Sequence, residues 1–287
     1  MHIDDEYAVR YNPSAMPILY LVATPIGNLE DISHRAVRVL GEVGLIAAED
    51  TRRTRRLLNA CGIKTPLTSY HEHNKTSKLP SLLRRLEQDD IALVSDAGMP
   101  GVSDPGYELV KAAIERGTPI VAVPGPSVLP AAIAVAGLPA NQFVYLGFLP
   151  RKKGERRHLL QEMAGEQRTL VALEAPHRLL ASLKDVSEIM GERRLAVCRE
   201  LTKLHEEVFR GSVTQAIAHF SQPRGEFTLV IEGRPTQGGA GTVTDSARQE
   251  LRRLRAEGMP AKEAVARLAG TTGLPKRLLY RAWLDAS

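Results

Sequence analysis

The sequence predicts an α/β protein of two αβα domains in tandem, followed by a small helical unit resembling a helix-turn-helix. Three observations predict it. Between residues 18 and 136, short apolar, β-rich runs alternate with helical stretches, and most of the runs end in a turn rich in proline or glycine. Gly137-Leu138-Pro139-Ala140-Asn141 interrupts this series, and a second one follows. Residues 233–241, rich in Gly, Pro, Thr and Gln, then set apart a tail of short amphipathic helices.

Residues 1–17 are polar and mixed in charge, with no basic start leading into an apolar stretch, and read as a disordered leader. A strand over 18–23 ends at Thr24-Pro25-Ile26-Gly27-Asn28-Leu29, and a helix starts near Ile32 with Asp31 and Ser33 as caps. The pattern repeats with a strand at 45–48, a helix at 51–60, a strand at 67–70 and a helix at 77–86. The strand at 91–94 runs into a loop, 95–106, that holds three glycines, two prolines, two serines and two aspartates. A helix at 107–115, a strand at 120–123, the turn Pro124-Gly125-Pro126-Ser127 and an Ala-rich helix at 128–136 complete the N-terminal domain, 18–137.

The second αβα domain, 138–233, has strands at 143–146, 169–173, 195–198 and 227–231, with helices at 158–163, 178–189 and 213–219. A further strand at 207–211 would make its sheet mixed. After a linker at 234–243, helices at 246–257, 261–270 and 276–286 form the tail unit, 244–287. It is either a helix-turn-helix-like unit or a plain three-helix cap on the second domain.

Composition excludes several classes. No apolar run approaches the roughly 18 residues of a membrane helix, so no membrane role is expected. Cys61 and Cys198 are too few and too far apart for a disulfide scaffold, and the chain reads as cytoplasmic. The net charge is +5, and the tail alone carries nine basic against five acidic residues. A polyanionic partner or solvated helix faces would account for that excess.

Four loops with unusual chemistry follow strands of the first series, and a parallel sheet brings them to one edge. They are residues 24–29, Glu49-Asp50-Thr51-Arg52-Arg53, 95–106 and 124–127. Glycines in the 95–106 loop let backbone amides approach a ligand. The alternative is a connecting loop in which Asp104 and Pro105 start the next helix. Arg52, Arg53, Arg55 and Arg56 form either a phosphate-tracking patch or a solvated face. His71 and His73, spaced to share one face of a strand, lack a third ligand, so a polar substrate-facing loop is preferred to a metal site. No Walker A motif or nucleophile elbow is present.

The motifs at 24–29, Ala48-Glu49-Asp50-Thr51-Arg52, 94–106 and Val123-Pro124-Gly125-Pro126-Ser127 resemble the tetrapyrrole methylase superfamily. Residues 69–74, Arg199-Glu200-Leu201-Thr202-Lys203 and Gly225-Glu226-Phe227-Thr228 are closest to its branch acting on small-subunit ribosomal RNA. The resemblance runs over about 18–233, and the tail resembles that branch's helical extension. Where the wider superfamily has a glycine-rich first loop, this chain has a single Gly27, which leaves the loop free to face RNA.

The resemblance implies S-adenosyl-L-methionine in a cleft between the domains and a homodimer. It also implies methyl transfer to the ribose 2′-hydroxyl of a cytidine in the decoding region of 16S rRNA, free or within the small ribosomal subunit. Cofactor contacts are then expected from Pro25, Gly27, Asp96, Ala97, Gly98, Gly101, Val102, Ser103, Pro124 and Ser127. Asp104, Glu200, Lys203 and Glu206 are candidates to accept or steer the hydroxyl proton. RNA contacts are expected from Arg52, Arg53, Arg55, Arg56, His71, His73, Arg252, Lys276 and Arg277. Two rival readings are a methyltransferase acting on a tetrapyrrole or other small molecule, and a ligand-sensing nucleic-acid-binding regulator.

Overall fold

The computed structural model describes residues 16–235, 243 and 245–285. The expected leader, apart from its last two residues, and most of the expected linker lie outside them. Five short apolar runs form the first sheet: β1 (Leu19–Val22), β2 (Leu45–Ala48), β3 (Leu67–Ser69), β4 (Ile91–Val94) and β5 (Ile120–Val123). They lie parallel in the order β3-β2-β4-β1-β5. All four residues of β4 are buried, as a central strand covered on both faces requires.

Alternate strand residues supply the two faces. Val22, Ile46, Ala48, Ala92 and Val94 pack under α1 (His34–Glu42) and α2 (Thr51–Ala60). Leu19, Ala47, Ile91 and Leu93 pack under α3 (Lys75–Arg85) and α4 (Tyr107–Glu115). Ser33 caps α1 by accepting from the Ala36 N–H at 3.1 Å. α3 begins two residues earlier than expected, and the stretch before it is a turn. His71 and His73 therefore do not share a strand face, because β3 ends at Ser69 and Asn74 folds back to accept from the His71 N–H.

The Ala-rich α5 (Val128–Ala136) packs on the second sheet, where Ala132, Ile133 and Ala136 meet Val171, Ala196, Cys198 and Val230. Small side chains let a helix lie this close to a sheet. The second sheet contains β6 (Phe143–Phe148), β7 (Thr169–Glu174), β8 (Arg194–Arg199), β9 (Glu207–Ser212) and β10 (Phe227–Ile231), in the order β6-β7-β10-β8-β9. β6 is parallel to β7, whereas β10 is antiparallel to β7 and β8, and β9 to β8. The sheet is mixed, as the extra strand near 207 suggested. Its other face is covered by α6 (Lys153–Met163), α7 (Leu179–Met190) and α8 (Val213–His219). α6 starts five residues before the expected position, because its first turns are charged and show no apolar periodicity until Leu159.

Arg156 of α6 and Asp185 of α7 form a buried pair, with Nε–Oδ2 at 2.8 Å and side chains 5% and 4% exposed. Removing one partner strands the other charge in the core. Asp185→Ala is expected to cost about 3–5 kcal/mol, read by urea denaturation. A loss below about 1 kcal/mol would show that water reaches Arg156.

The tail consists of α9 (Asp245–Ala256), α10 (Ala261–Thr272) and α11 (Lys276–Leu284). Leu251, Leu254, Ala264, Val265, Leu268, Leu279 and Trp283 form its own core, and the Arg255 guanidinium lies 5.6 Å from the Trp283 ring centre. Among the described residues no helix is long and apolar enough to cross a membrane.

Candidate active site

The loops after β1, β2, β4 and β5 leave the first sheet at one edge and face residues of the second sheet. Between them lies a cleft of about 340 Å³. One wall holds Ile26, Glu49, Arg53, residues 96–99, residues 102–104 and residues 127–129. The other holds Tyr145, Phe148, Leu173, Glu174, Pro176, Cys198, Leu201 and residues 226–228.

Backbone hydrogen bonds lock the loops of the first wall together. Thr24 and Gly98 exchange two N–H to carbonyl bonds at 2.9 Å, and the Thr24 hydroxyl donates to the Ser95 carbonyl at 3.1 Å. Gly98 and Gly101 both sit at φ +82°, a conformation that glycine adopts without strain. Ser103 holds φ +64°, and its hydroxyl shares a 2.7 Å hydrogen bond with the Tyr145 hydroxyl, which joins the two walls. The Asp96 carboxylate accepts from the Asp50 N–H at 3.0 Å and pairs with Arg53 at 3.3 Å. It therefore braces the stretch after β2 against the loop after β4.

Asp104 does not cap α4, whose N-cap is Gly106, and its carboxyl borders the cleft instead. Burial, followed by the nearby charges of Glu49 and Asp96, pushes its pKa up to about 7, while the Ser95 hydroxyl pulls the other way. Burial also raises Glu49, and the charge of Asp96 adds to it, although the Asp96 N–H donates to Glu49 at 3.2 Å. Two carboxyls with raised pKa values on one wall form a site that gains from a cation.

Lys203 lies beyond the opposite rim and donates to Glu200 at 3.0 Å and Glu226 at 2.9 Å. Burial opposes its charge, but these two bonds outweigh burial and hold its pKa above the ordinary lysine value. Burial likewise opposes the charge on Glu200. The Glu226 N–H and Lys203 outweigh it and hold that pKa low. A protonated Lys203 and a weakly basic Glu200 are poor proton acceptors at neutral pH. The exposed Glu206 carboxylate accepts from the Thr202 N–H and does not line the cleft. Gly27 makes room for this loop, since a Cβ there would lie 2.4 Å from Lys203 Cγ and 2.8 Å from Thr202 Oγ1.

Of the expected cofactor residues, Asp96, Ala97, Gly98, Val102, Ser103 and Ser127 line the cleft, while Pro25, Gly27, Gly101 and Pro124 shape the loops behind it. The arginine cluster divides. Arg52 pairs with Asp50 at 3.1 Å and Arg53 joins the cleft wall, while Arg55 and Arg56 are exposed without an ion pair among the described residues. The His71 and His73 ring centres lie 6.1 Å apart, and neither residue lines the cleft. Arg252, Lys276 and Arg277 are exposed on the tail. Glu49, from one of the four loops expected at the sheet edge, lines the cleft, whereas sequence reading missed Tyr145, Phe148, Glu174, Cys198 and Thr228 as cleft residues. For Tyr145 and Phe148 one signal existed, the Gly147 directly after the expected strand at 143–146.

This architecture and its inter-sheet cleft belong to a known class. The family model for Tetrapyrrole (Corrin/Porphyrin) Methylases matches residues 18–217, and the chain belongs to that family of methyltransferases. The model of the RsmI C-terminal HTH domain matches residues 242–287. The chain is 49% identical over 274 residues to the Ribosomal RNA small subunit methyltransferase I of Synechocystis sp., covering 94% of this chain and 98% of the relative. A relative of the same name from Thermotoga maritima is 50% identical over 219 residues, covering 75% of this chain and 98% of its own length. Among solved structures, the uroporphyrin III C-methyl transferase of Thermus thermophilus shares the fold, with a TM-score of 0.54 at 20% identity over 75% of this chain and 97% of that one.

Proposed function

We propose that this chain transfers the methyl group of S-adenosylmethionine to the ribose 2′-hydroxyl of a cytidine in the decoding region of 16S rRNA. The observation that carries the reading is near-complete, two-way coverage at 49% identity with a relative named for small-subunit ribosomal RNA methylation. A ribosomal substrate puts this work in the cytoplasm, and the active form is proposed to be a homodimer.

The cleft suits this cofactor. Its volume lies within the roughly 300–1,000 Å³ of ligand pockets. The Asp104 and Glu49 carboxyls would meet a positive charge, and Val128, Leu129, Leu201 and Phe227 offer apolar surface to an adenosine. When bound, the cofactor supplies a methyl group already activated by its sulfonium. The chain's residues then have mainly to hold the hydroxyl oxygen in line, and such alignment can lower a barrier by about 7–11 kcal/mol. Asp104 is the one of the four proposed proton-handling residues that faces the cleft. We assign it first to the cofactor's charge.

The test is transfer from labelled S-adenosylmethionine to naked 16S rRNA or small subunits, followed by mapping of the modified nucleotide. One ribose-methylated cytidine is expected. Methylation of a base, or of a tetrapyrrole alone, would sink the reading. The exposed Arg55 and Arg56 provide a second check. Replacing both with Gln should weaken RNA binding and lower the slope of log affinity against log salt by about 1–2, with cofactor affinity unchanged. An unaltered slope would return both to the solvated surface.

A further inference from the structure

β6 contains an irregularity with a consequence for the cleft. Tyr145 pairs with Val171 and Phe148 with Leu173, so three steps along β6 match two along β7. The extra residue is accommodated around Gly147, which sits at φ +66°. In a regular strand Phe148 would share the face of Val144 and Leu146, which pack into the core under α6–α8. The bulge turns it to the face of Tyr145 instead, and it lines the cleft. There the residue is 57% exposed. The backbone that follows is fixed: Leu149 is 1% exposed, its N–H donates to the Leu173 carbonyl at 3.2 Å, and its carbonyl accepts from Arg178 at 2.9 Å. The strand thus gives up burial of a large apolar ring and sets it at the cleft on an anchored backbone.

A second observation adjoins it. Arg151 and Lys153, three and five residues on, are exposed and make no ion pair among the described residues, whereas Lys152 pairs with Glu155 at 2.9 Å. A planar ring followed within five residues by two exposed, unpaired cations offers the groups that one nucleotide and its flanking phosphates require. The inner end of the cleft, by contrast, is formed by the buried Cys198, Phe227 and Thr228, which suits the cofactor. We infer that Phe148 is the platform on which the base of the methylated cytidine stacks, with Arg151 and Lys153 on the adjoining phosphates. This rests on the proposed rRNA substrate and adds the element that positions the acceptor.

The experiment compares wild type, Phe148→Ala, Phe148→Leu and Phe148→Tyr on small ribosomal subunits, with S-adenosylmethionine affinity measured separately by calorimetry. Loss of one stacked base should lower kcat/KM about 10–100-fold in the Ala and Leu variants, and Tyr should stay within about 3-fold of wild type. Cofactor affinity should not change in any of them. Arg151→Gln with Lys153→Gln should raise KM and flatten its salt dependence at constant kcat. Full activity in Phe148→Leu would make the ring only bulk and overturn the inference. Weakened cofactor binding would assign the ring to the cofactor's adenine, and altered sedimentation would assign it to a subunit contact. Either overturns the inference as well. A wild type that methylates no ribosomal cytidine overturns the substrate reading and this inference with it, while an active wild type with an equally active Leu variant overturns this one alone.

Discussion

Asp104→Asn is expected to weaken S-adenosylmethionine binding by about 10–100-fold, the loss of one charge-assisted contact in a partly buried site. The carboxyl borders the cleft beside Glu49 and Asp96, and burial with those two charges raises its pKa to about 7. At pH 6 it is largely protonated and must release its proton to meet a cation. Wild-type affinity should therefore improve as pH rises from 6 to 8, by up to about tenfold per unit below the pKa. The Asn variant should lose that dependence. Calorimetry across this range checks it, and equal affinity of the two proteins at pH 8 would refute the assignment.

The same shift has a stability sign. The folded pKa lies above the ordinary 3.8, so the native state holds a proton that the unfolded chain has released between about pH 4 and 7. Stability from this group is fully present below pH 4 and is lost as pH rises through 7. Above that, wild type keeps a charged carboxylate in an unfavourable place. Asn removes the charge, and the cofactor-free variant should gain about 1–3 kcal/mol at pH 8, discounted for partial solvent contact, and little at pH 4. A variant that binds poorly yet melts higher at pH 8 would show that the site holds its acidic cluster for function at a cost in stability.

Much of the fold was legible because apolar runs mark buried parallel strands. The strands at 45–48, 91–94, 120–123 and 227–231 match the structure residue for residue. What failed was decided by partners distant in sequence. His71 and His73 followed an apolar strand, yet the Asn74 side chain bends them into a turn. Nothing near Gly27 in the sequence shows that Lys203, from the loop between β8 and β9, packs against it. The alternative in which Asp104 and Pro105 start the helix is the one that fell, since the N-cap is Gly106. Phe148 looked like an ordinary residue after a strand, and only the β6–β7 register turns it into the cleft. Local periodicity reports which residues are buried; it carries no record of which loop crosses which.

A chain ending at Arg234 is expected to keep its cofactor affinity and its melting temperature within about 2 °C, yet to show KM for small subunits raised at least about tenfold. The tail's core is closed upon itself: Leu251, Leu254, Ala264, Val265, Leu268, Leu279 and Trp283 pack on one another, so removing α9–α11 leaves the two sheets their own cores. Its surface is basic, with Arg252, Lys262, Arg267, Lys276, Arg277 and Arg281 exposed. Arg253 is held by Glu250 and Glu257. Contacts of such residues with phosphate position a substrate without choosing the reacting atom. The loss should therefore fall on KM, with kcat at saturating substrate nearly unchanged and a shallower salt dependence. The Thermotoga relative has almost no residues beyond the 219 that match this chain, so a protein of that name exists without all of the segments present here. If the tail were a structural cap, its removal would expose apolar side chains of the second sheet's helices and lower the melting temperature. A truncated protein that melts early, or one that methylates limiting subunits at the full rate, would remove the docking role.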